Sequence, residues 1–116
     1  MADILKEKSY AFARRITKLS AYLHSEKKEF VISKKILDSG INIGLLIEEG
    51  KQGENKPDFL QKYSVANKEA FRTNFLLRLL RDEEYITGPL AKSLISDCEE
   101  LQKMLISTIK TLRRPA

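Results

Sequence analysis

Residues that build metal sites, disulfide frameworks and tight turns are scarce in this 116-residue chain: one cysteine, one histidine, three prolines and five glycines. The lone cysteine, Cys98, excludes an internal disulfide framework and fits a reducing compartment. It falls on an apolar stripe with no second Cys or His near it in sequence, which predicts a buried, inert thiol. The lone histidine, His24, has Ala21 three residues before it, so the Glu-x-x-His pairs of a di-iron helical bundle are missing. His24 is expected at the end of a helix, at the surface or in contact with the helix dipole.

No glycine-rich phosphate loop is present, because Gly40-x-x-x-Gly44 lies inside a predicted helix and no Lys-Ser/Thr follows it. Glu48, Glu49 and Glu69 are expected to form salt bridges at helix interfaces rather than to pair as catalytic carboxylates. No nucleophile, base and orienting group can be named together. The expectation is a protein without enzymatic activity, metal, cofactor or small-molecule substrate.

Long apolar runs are also lacking. The longest, Ile41 to Ile47, is interrupted by Asn42 and is far too short to span a bilayer. Met1 to Arg15 mixes Asp3, Lys6, Glu7 and Lys8 among its apolar residues, so it lacks the apolar core of a signal peptide. No membrane partner and a cytoplasmic location are expected.

What the chain does have is helical periodicity. With 42% hydrophobic and 32% charged residues it reads as a folded chain, and the scarcity of Pro and Gly favours long uninterrupted helices. A first helix is predicted over 3–24, with Leu5, Phe12, Ile16, Leu19 and Leu23 on one stripe. A second is predicted over 30–50. Its apolar residues reach almost all the way round at about 100° per position, so burial on more than one side is expected. One side would face the core and the other a second copy of the chain. Gly40 and Gly44, one turn apart, would let a neighbouring helix approach.

Gly50-Lys51-Gln52-Gly53-Glu54 reads as a helix end and turn, and Asn55 as the N-cap of a third helix over 56–82, with Pro57 in its first turn. Phe59, Tyr63, Ala66, Ala70 and Leu77 form that helix's core stripe, with Leu60, Phe71 and Phe75 on one flank. Thr87-Gly88-Pro89 opens a fourth helix over 89–112, striped by Leu90, Leu94, Cys98, Leu101, Leu105, Ile109 and Leu112. Four helices joined by short connections within one domain, residues 1–116, predict an all-α, antiparallel up-down-up-down four-helix bundle.

The net charge is +5 and the sequence pI about 9.4, which favours a polyanionic partner, although a solvated basic surface gives the same composition. Arg14, Arg15 and Lys18 cluster on the first helix, and Arg72, Arg78 and Arg81 on the third. Arginine suits phosphate contact through its planar fork. These six are the candidate nucleic-acid contacts.

The segment Ser39-Gly40-Ile41-Asn42-Ile43-Gly44 with Glu48-Glu49 resembles the "SGTSIGAN…EA" signature of the 23S rRNA-intervening-sequence proteins. Asp58-Phe59, Lys68-Glu69-Ala70 and Leu76 to Leu80 are similar to that family's "DF…KEA.ET.YWL.LL" run, and Ser9-Tyr10-Ala11-Phe12-Ala13 with Ile16 and Leu19 to its opening helix. The resemblance covers nearly the whole chain. The sequence departs from the pattern at Ile41, Leu45 and Leu46, at Gly50, and at Arg72 with Asn74-Phe75. The resemblance implies a left-handed antiparallel bundle assembled as a homopentamer. A related branch, the accessory variability protein of diversity-generating retroelements, forms a basic pentameric barrel that binds nucleic acid and a reverse transcriptase.

Together these readings give two expectations. The first is a homo-oligomer that binds RNA, DNA or a nucleic-acid-handling protein through its basic surface. The alternative is a protein–protein adaptor that never touches nucleic acid. The candidate oligomer contacts are Gly40, Ile41, Gly44, Leu45, Leu46, Phe71 and Phe75.

Overall fold

Local hydrogen-bonding signals set where each helix begins. The computed structural model describes residues 3–53 and 55–115 and contains four helices: α1 (Ile4–Ser25), α2 (Ile32–Lys51), α3 (Lys56–Asp82) and α4 (Gly88–Arg113). Asp3 caps α1 by accepting from the Lys6 amide (3.1 Å), Asn55 caps α3 by accepting from the Asp58 amide (3.0 Å), and Thr87 caps α4 through Leu90 (3.3 Å). Each side-chain oxygen satisfies one of the amides a helix start leaves unpaired. The fourth helix therefore starts one residue before the predicted Pro89.

The second helix starts later than its apolar pattern suggests. Phe30 and Val31 lie before it and are exposed. The reason is Glu29, whose carboxylate accepts from the Val31 and Ser33 amides (3.3 and 2.8 Å) while its carbonyl accepts from the Ser33 hydroxyl (2.7 Å). One glutamate thus does the capping that Val31 cannot.

The helices pack in cyclic order, α1 on α2, α2 on α3, α3 on α4 and α4 back on α1. Their pairing is antiparallel. The start of α1 meets the end of α2 at Asp3–Lys51, and its end meets the start of α2 at Ser20–Ser33. Likewise Glu49 meets Lys62 near one end of the α2–α3 pair, and Ser39 meets Thr73 toward the other. The molecule extends 50 × 24 × 21 Å, with the long dimension set by the 27-residue α3, which at about 1.5 Å per residue is roughly 40 Å long.

The core is a continuous column in which the predicted stripes of α1, α3 and α4, including Phe12, Ile16, Leu23, Tyr63, Leu77, Leu94, Leu101 and Leu105, meet Ile36, Ile43 and Ile47 of α2 and Leu80 of α3, all fully buried. Each such side chain contributes roughly 1.5–3 kcal/mol of transfer free energy. Its polar members are bonded: the Thr73 hydroxyl lies 2.9 Å from Ser39 Oγ and 2.8 Å from the Glu69 carbonyl.

The expected helix end and turn fall at Lys51–Gly53, with no glycine in a left-handed conformation. Gly50 is a packing residue, because a Cβ there would stand 2.9 Å from Tyr63 Cε1. The left-handed positions are Lys28 (φ 54°) and Glu84 (φ 61°). At the end of α3 the Tyr85 amide donates to Leu80 O (2.9 Å) and the Glu84 amide to Arg81 O (3.0 Å), a Schellman closure with Glu84 where glycine is usual. Glu84→Gly should therefore raise the urea midpoint, by up to about 1 kcal/mol in stability, since glycine adopts that conformation without the Cβ clash. Glu84→Val should lower it.

Cys98 is buried, with its thiol donating to the Ala70 carbonyl at 3.3 Å. Burial, with smaller contributions from Glu99 and Asp97, pushes the thiol up to about 12; burial does the same to the Tyr63 hydroxyl, assisted by Asp3. Raised values favour the neutral forms in the fold. Their stabilisation is full below the ordinary values of 9.0 and 10.0 and is lost as pH rises toward about 12. The expected result is a thiol unreactive to iodoacetamide at pH 8 in the folded chain and reactive in urea, with the urea midpoint falling between pH 9 and 11.

Candidate functional site

The six candidate cations sit on two helices that share no seam. Arg14, Arg15 and Lys18 are on α1, and Arg72, Arg78 and Arg81 on α3; α1 and α3 are diagonal in the cyclic packing and do not touch. Arg72 lies at the height of the first group, because Ile16 abuts Gly40 on α2 and neighbouring Ser39 meets Thr73 on α3, while Arg78 and Arg81 lie about one to two turns beyond it, Arg81 lining a hollow with Tyr22 of α1. Around α3, Arg72 falls toward the α2 side and Arg81 toward the α4 side, so the α3 arginines are spread over two faces while Arg14, Arg15 and Lys18 share one edge of α1.

The six also differ in what holds them. Arg15 Nη1 is 2.6 Å from Asp97 Oδ2 across the α1/α4 seam, and Arg81 Nε is 2.8 Å from Asp82 Oδ1. Arg78 Nε donates to Asn74 Oδ1 (2.9 Å) and its guanidinium lies over the Phe75 ring, 5.7 Å from the centroid. Arg14, Lys18 and Arg72 are exposed and form no ion pair among the described residues. The α1 edge continues into the α1/α4 seam, where Arg15, Lys18, Leu19, Tyr22, Leu90 and Leu94 line a hollow of about 330 Å³.

The candidate oligomer contacts divide more sharply. Gly40 is buried inside its own chain, where a Cβ would lie 2.7 Å from Ile16 Cγ2 and 3.0 Å from Ile16 Cβ. Its neighbouring helix is α1 of the same bundle, so the expected subunit contact at Gly40 is corrected to an internal one. Leu46 is half-buried and packs on the core. Gly44 is different: the nearest atoms to a Cβ there would be Ser9 O at 3.6 Å and Ser9 C and Oγ at 3.8 Å, ordinary contacts. Gly44, Ile41 and Leu45 line a groove of about 190 Å³ along the α1/α2 seam with Ser9, Tyr10, Ala13 and Glu48.

Phe71 and Phe75 stand on the outer side of α3, 53% and 56% exposed. Asn74, which donates to Gln102 Oε1 on α4 (3.1 Å), marks the α4-facing side of α3, and Glu69 and Thr73 mark its α2-facing side. At about 100° per residue the two phenylalanines fall beyond Asn74, away from α2. The sequence pattern placed them on a flank and gave no means of telling a buried flank from an open one.

Of the three glutamates, Glu49 reaches Lys62 (3.4 Å) and Glu69 accepts from Asn42 Nδ2 (3.0 Å), while Glu48 sits at the groove. His24 is exposed and sets its ring edge against Phe30, with centroids 4.7 Å apart. Among the described residues no group of three or more His, Cys, Asp or Glu is placed to hold a metal ion, and no helix is long and apolar enough to cross a membrane.

These features define a four-helix protein whose surface carries basic side chains and unpartnered apolar seams. The chain belongs to the 23S rRNA-intervening sequence protein family, whose profile matches residues 3–107. It is similar to a solved structure from Bacteroides thetaiotaomicron VPI-5482, described as a protein of unknown function from the S23 ribosomal protein family. That similarity is 46% identity and a TM-score of 0.91, covering 92% of this chain and 96% of the other. No curated protein matches.

Proposed function

We propose that this chain is a non-enzymatic, cytoplasmic homo-oligomer, a ring of five, that binds RNA or DNA through its basic surface. The observation that carries the nucleic-acid reading is the set of exposed candidate cations left without a carboxylate among the described residues, Arg14, Lys18, Arg72 and Arg78, on a chain of net charge +5. Exposed, unpaired cations keep their full charge available for phosphate, whereas Arg15 and Arg81 must first leave Asp97 and Asp82. Such contacts read phosphate rather than base, so binding is sequence-independent and falls with salt.

Self-association is supported by Leu45, Phe71 and Phe75, large apolar side chains each more than half exposed. Five-fold closure follows the family resemblance and would repeat the basic surface around the assembly.

The test is light scattering of the wild-type protein with and without a mixed RNA pool at 50 mM salt. Five copies of the 13.3 kDa chain, gaining mass with RNA and losing it at higher salt, is the expected result. Absence of RNA binding at low salt overturns the nucleic-acid reading, and a single-chain mass overturns the oligomer. A second reading, a protein adaptor, is favoured by the exposed Phe71–Phe75 pair. Retention of one specific protein from nuclease-treated lysate, lost in Phe75→Glu, would support it.

A further inference from the structure

Of the four neighbouring helix pairs, α1 and α4 make the least contact, and the hollow of about 330 Å³ stays open between them. Its apolar lining is Leu19 and Leu94, both buried, and half-buried Leu90. Tyr22 adds an aromatic ring and is 40% exposed. Ligand sites run from about 300 to 1,000 Å³, so this one has room for a single planar ring system and none for a double helix. Leu45, Phe71 and Phe75, the side chains that support self-association, do not line it.

The charges around the hollow leave a positive excess. Along the seam Arg15 holds Asp97 and Lys8 holds Glu100 (2.7 Å), so both carboxylates of that seam are engaged. Lys18 lines the hollow and Arg14 precedes it by one turn; both are exposed and form no ion pair among the described residues. Glu7 and Glu26, the unpaired carboxylates nearest along the chain, stand about two turns from Arg14 and from Lys18. Lys92, Glu99 and Lys103 fall on the far side of α4 from Leu94 at about 100° per residue. Glu84 shares the adjoining hollow beyond Tyr22 with Lys27 and Arg81. Two free cations therefore stand beside an apolar slot.

A duplex offers phosphates to such a surface, but its bases are stacked inside and gain nothing from leucines. An unpaired base presents an apolar face to leucine and tyrosine while its own backbone carries phosphates past the cations. We propose that the α1/α4 hollow takes one unpaired nucleobase of a single strand, stacked on Tyr22, with the flanking phosphates on Lys18 and Arg14. The inference rests on the nucleic-acid reading and names the form of nucleic acid that is bound. Every base has a π face, so stacking on a tyrosine tolerates all of them. Binding stays independent of sequence and becomes selective for single strands.

The test compares one short RNA, carrying the fluorescent base 2-aminopurine, as a single strand and as a perfect duplex, with the full chain at the same salt. The single strand should bind at least ~5-fold more tightly than the duplex, and its 2-aminopurine fluorescence should be quenched on binding. Tyr22→Ser should weaken the single strand at least ~5-fold and abolish the quenching, while duplex affinity stays as in the wild type. Its salt slope should not change, because no cation is removed. Tyr22→Phe keeps the ring and should behave as the wild type. If neither form of RNA binds at low salt, the nucleic-acid reading falls and this inference with it. If RNA binds but the duplex matches the single strand, or folded Tyr22→Ser keeps the affinity and the quenching, the base site is wrong while the reading stands. Tyr22 is exposed enough that the serine variant should keep wild-type helicity. A serine variant that loses helicity is replaced by Tyr22→Gln under the same criteria.

Discussion

Replacing Ile16 with alanine should lower the unfolding free energy by about 2–5 kcal/mol, the cost of an isoleucine cavity that neighbours only partly refill. Ile16 is fully buried at the point where α1 lies against Gly40 of α2. Gly40→Ala should also destabilise, because its Cβ would come within 2.7–3.0 Å of three Ile16 atoms. These atoms belong to a β-branched side chain with little rotameric freedom, so the clash cannot be relieved by swinging a flexible end away. Overpacking of this kind costs about 1–3 kcal/mol, against which alanine recovers up to about 1 kcal/mol of helix propensity.

The two substitutions touch the same space from opposite sides, and the double variant is expected to lose less than the sum of the singles. Coupling should fall in the range of about 0.5–3 kcal/mol. Urea unfolding of the four members of the cycle measures it directly. Strict additivity would show that Gly40 and Ile16 do not share a contact. The magnitude matters because a domain of this size has only about 5–15 kcal/mol of net stability, and Ile16→Ala alone removes a large fraction.

Neutralising Arg14, Lys18 and Arg72 to glutamine is expected to reduce RNA affinity by about two to three orders of magnitude at 0.1 M salt. The estimate follows from counterion release, where each phosphate contact contributes a slope of roughly −0.7 to −0.9 in log affinity against log salt. Three lost contacts should flatten the slope by about 2–3. The control is the pair Arg15→Gln and Arg81→Gln, whose guanidiniums are held by Asp97 and Asp82. Removing these should change the slope by less than removing the free cations. Fluorescence anisotropy of one labelled RNA across 50–300 mM salt separates the outcomes. Equal loss from both sets would mean that the free and paired cations are equivalent and that net charge alone drives binding. No loss from either would remove the basic side chains from consideration. The variants carry surface changes only, so their unfolding midpoints should match the wild type closely.

Much of the fold was legible from local signals. The stripe Leu5–Phe12–Ile16–Leu19–Leu23 and the stripe Leu94–Cys98–Leu101–Leu105–Ile109 are buried as their spacing requires. Asn55 and Thr87 cap α3 and α4 through their own side-chain oxygens. Reading α2 was harder. Its nearly continuous apolar circumference gives no angular preference, so Gly40 and Gly44 looked equivalent, as did Leu45 and Leu46. In the structure Gly40 and Leu46 turn inward and Gly44 and Leu45 line an outer groove. The start of α2 lies two residues beyond the apolar pattern for a similar reason: apolar Phe30 and Val31 resemble helix interior, and the capping action of Glu29 depends on a backbone turn that hydropathy does not encode.

By itself, then, the sequence determined the number of helices, their order, most of their caps and the faces of α1 and α4, because these depend on interactions within a few residues of each other. It also determined that excess apolar surface exists on α2 and α3. Only the tertiary structure decided which part of that surface is covered by the chain itself. The rotation of a helix about its own axis is set by the side chains it meets, here Ile16 at Gly40, Tyr63 at Gly50 and Thr73 at Ser39. The same contacts decided that the basic residues of α1 and α3 do not form one continuous patch, since diagonal helices in a four-membered ring share no seam.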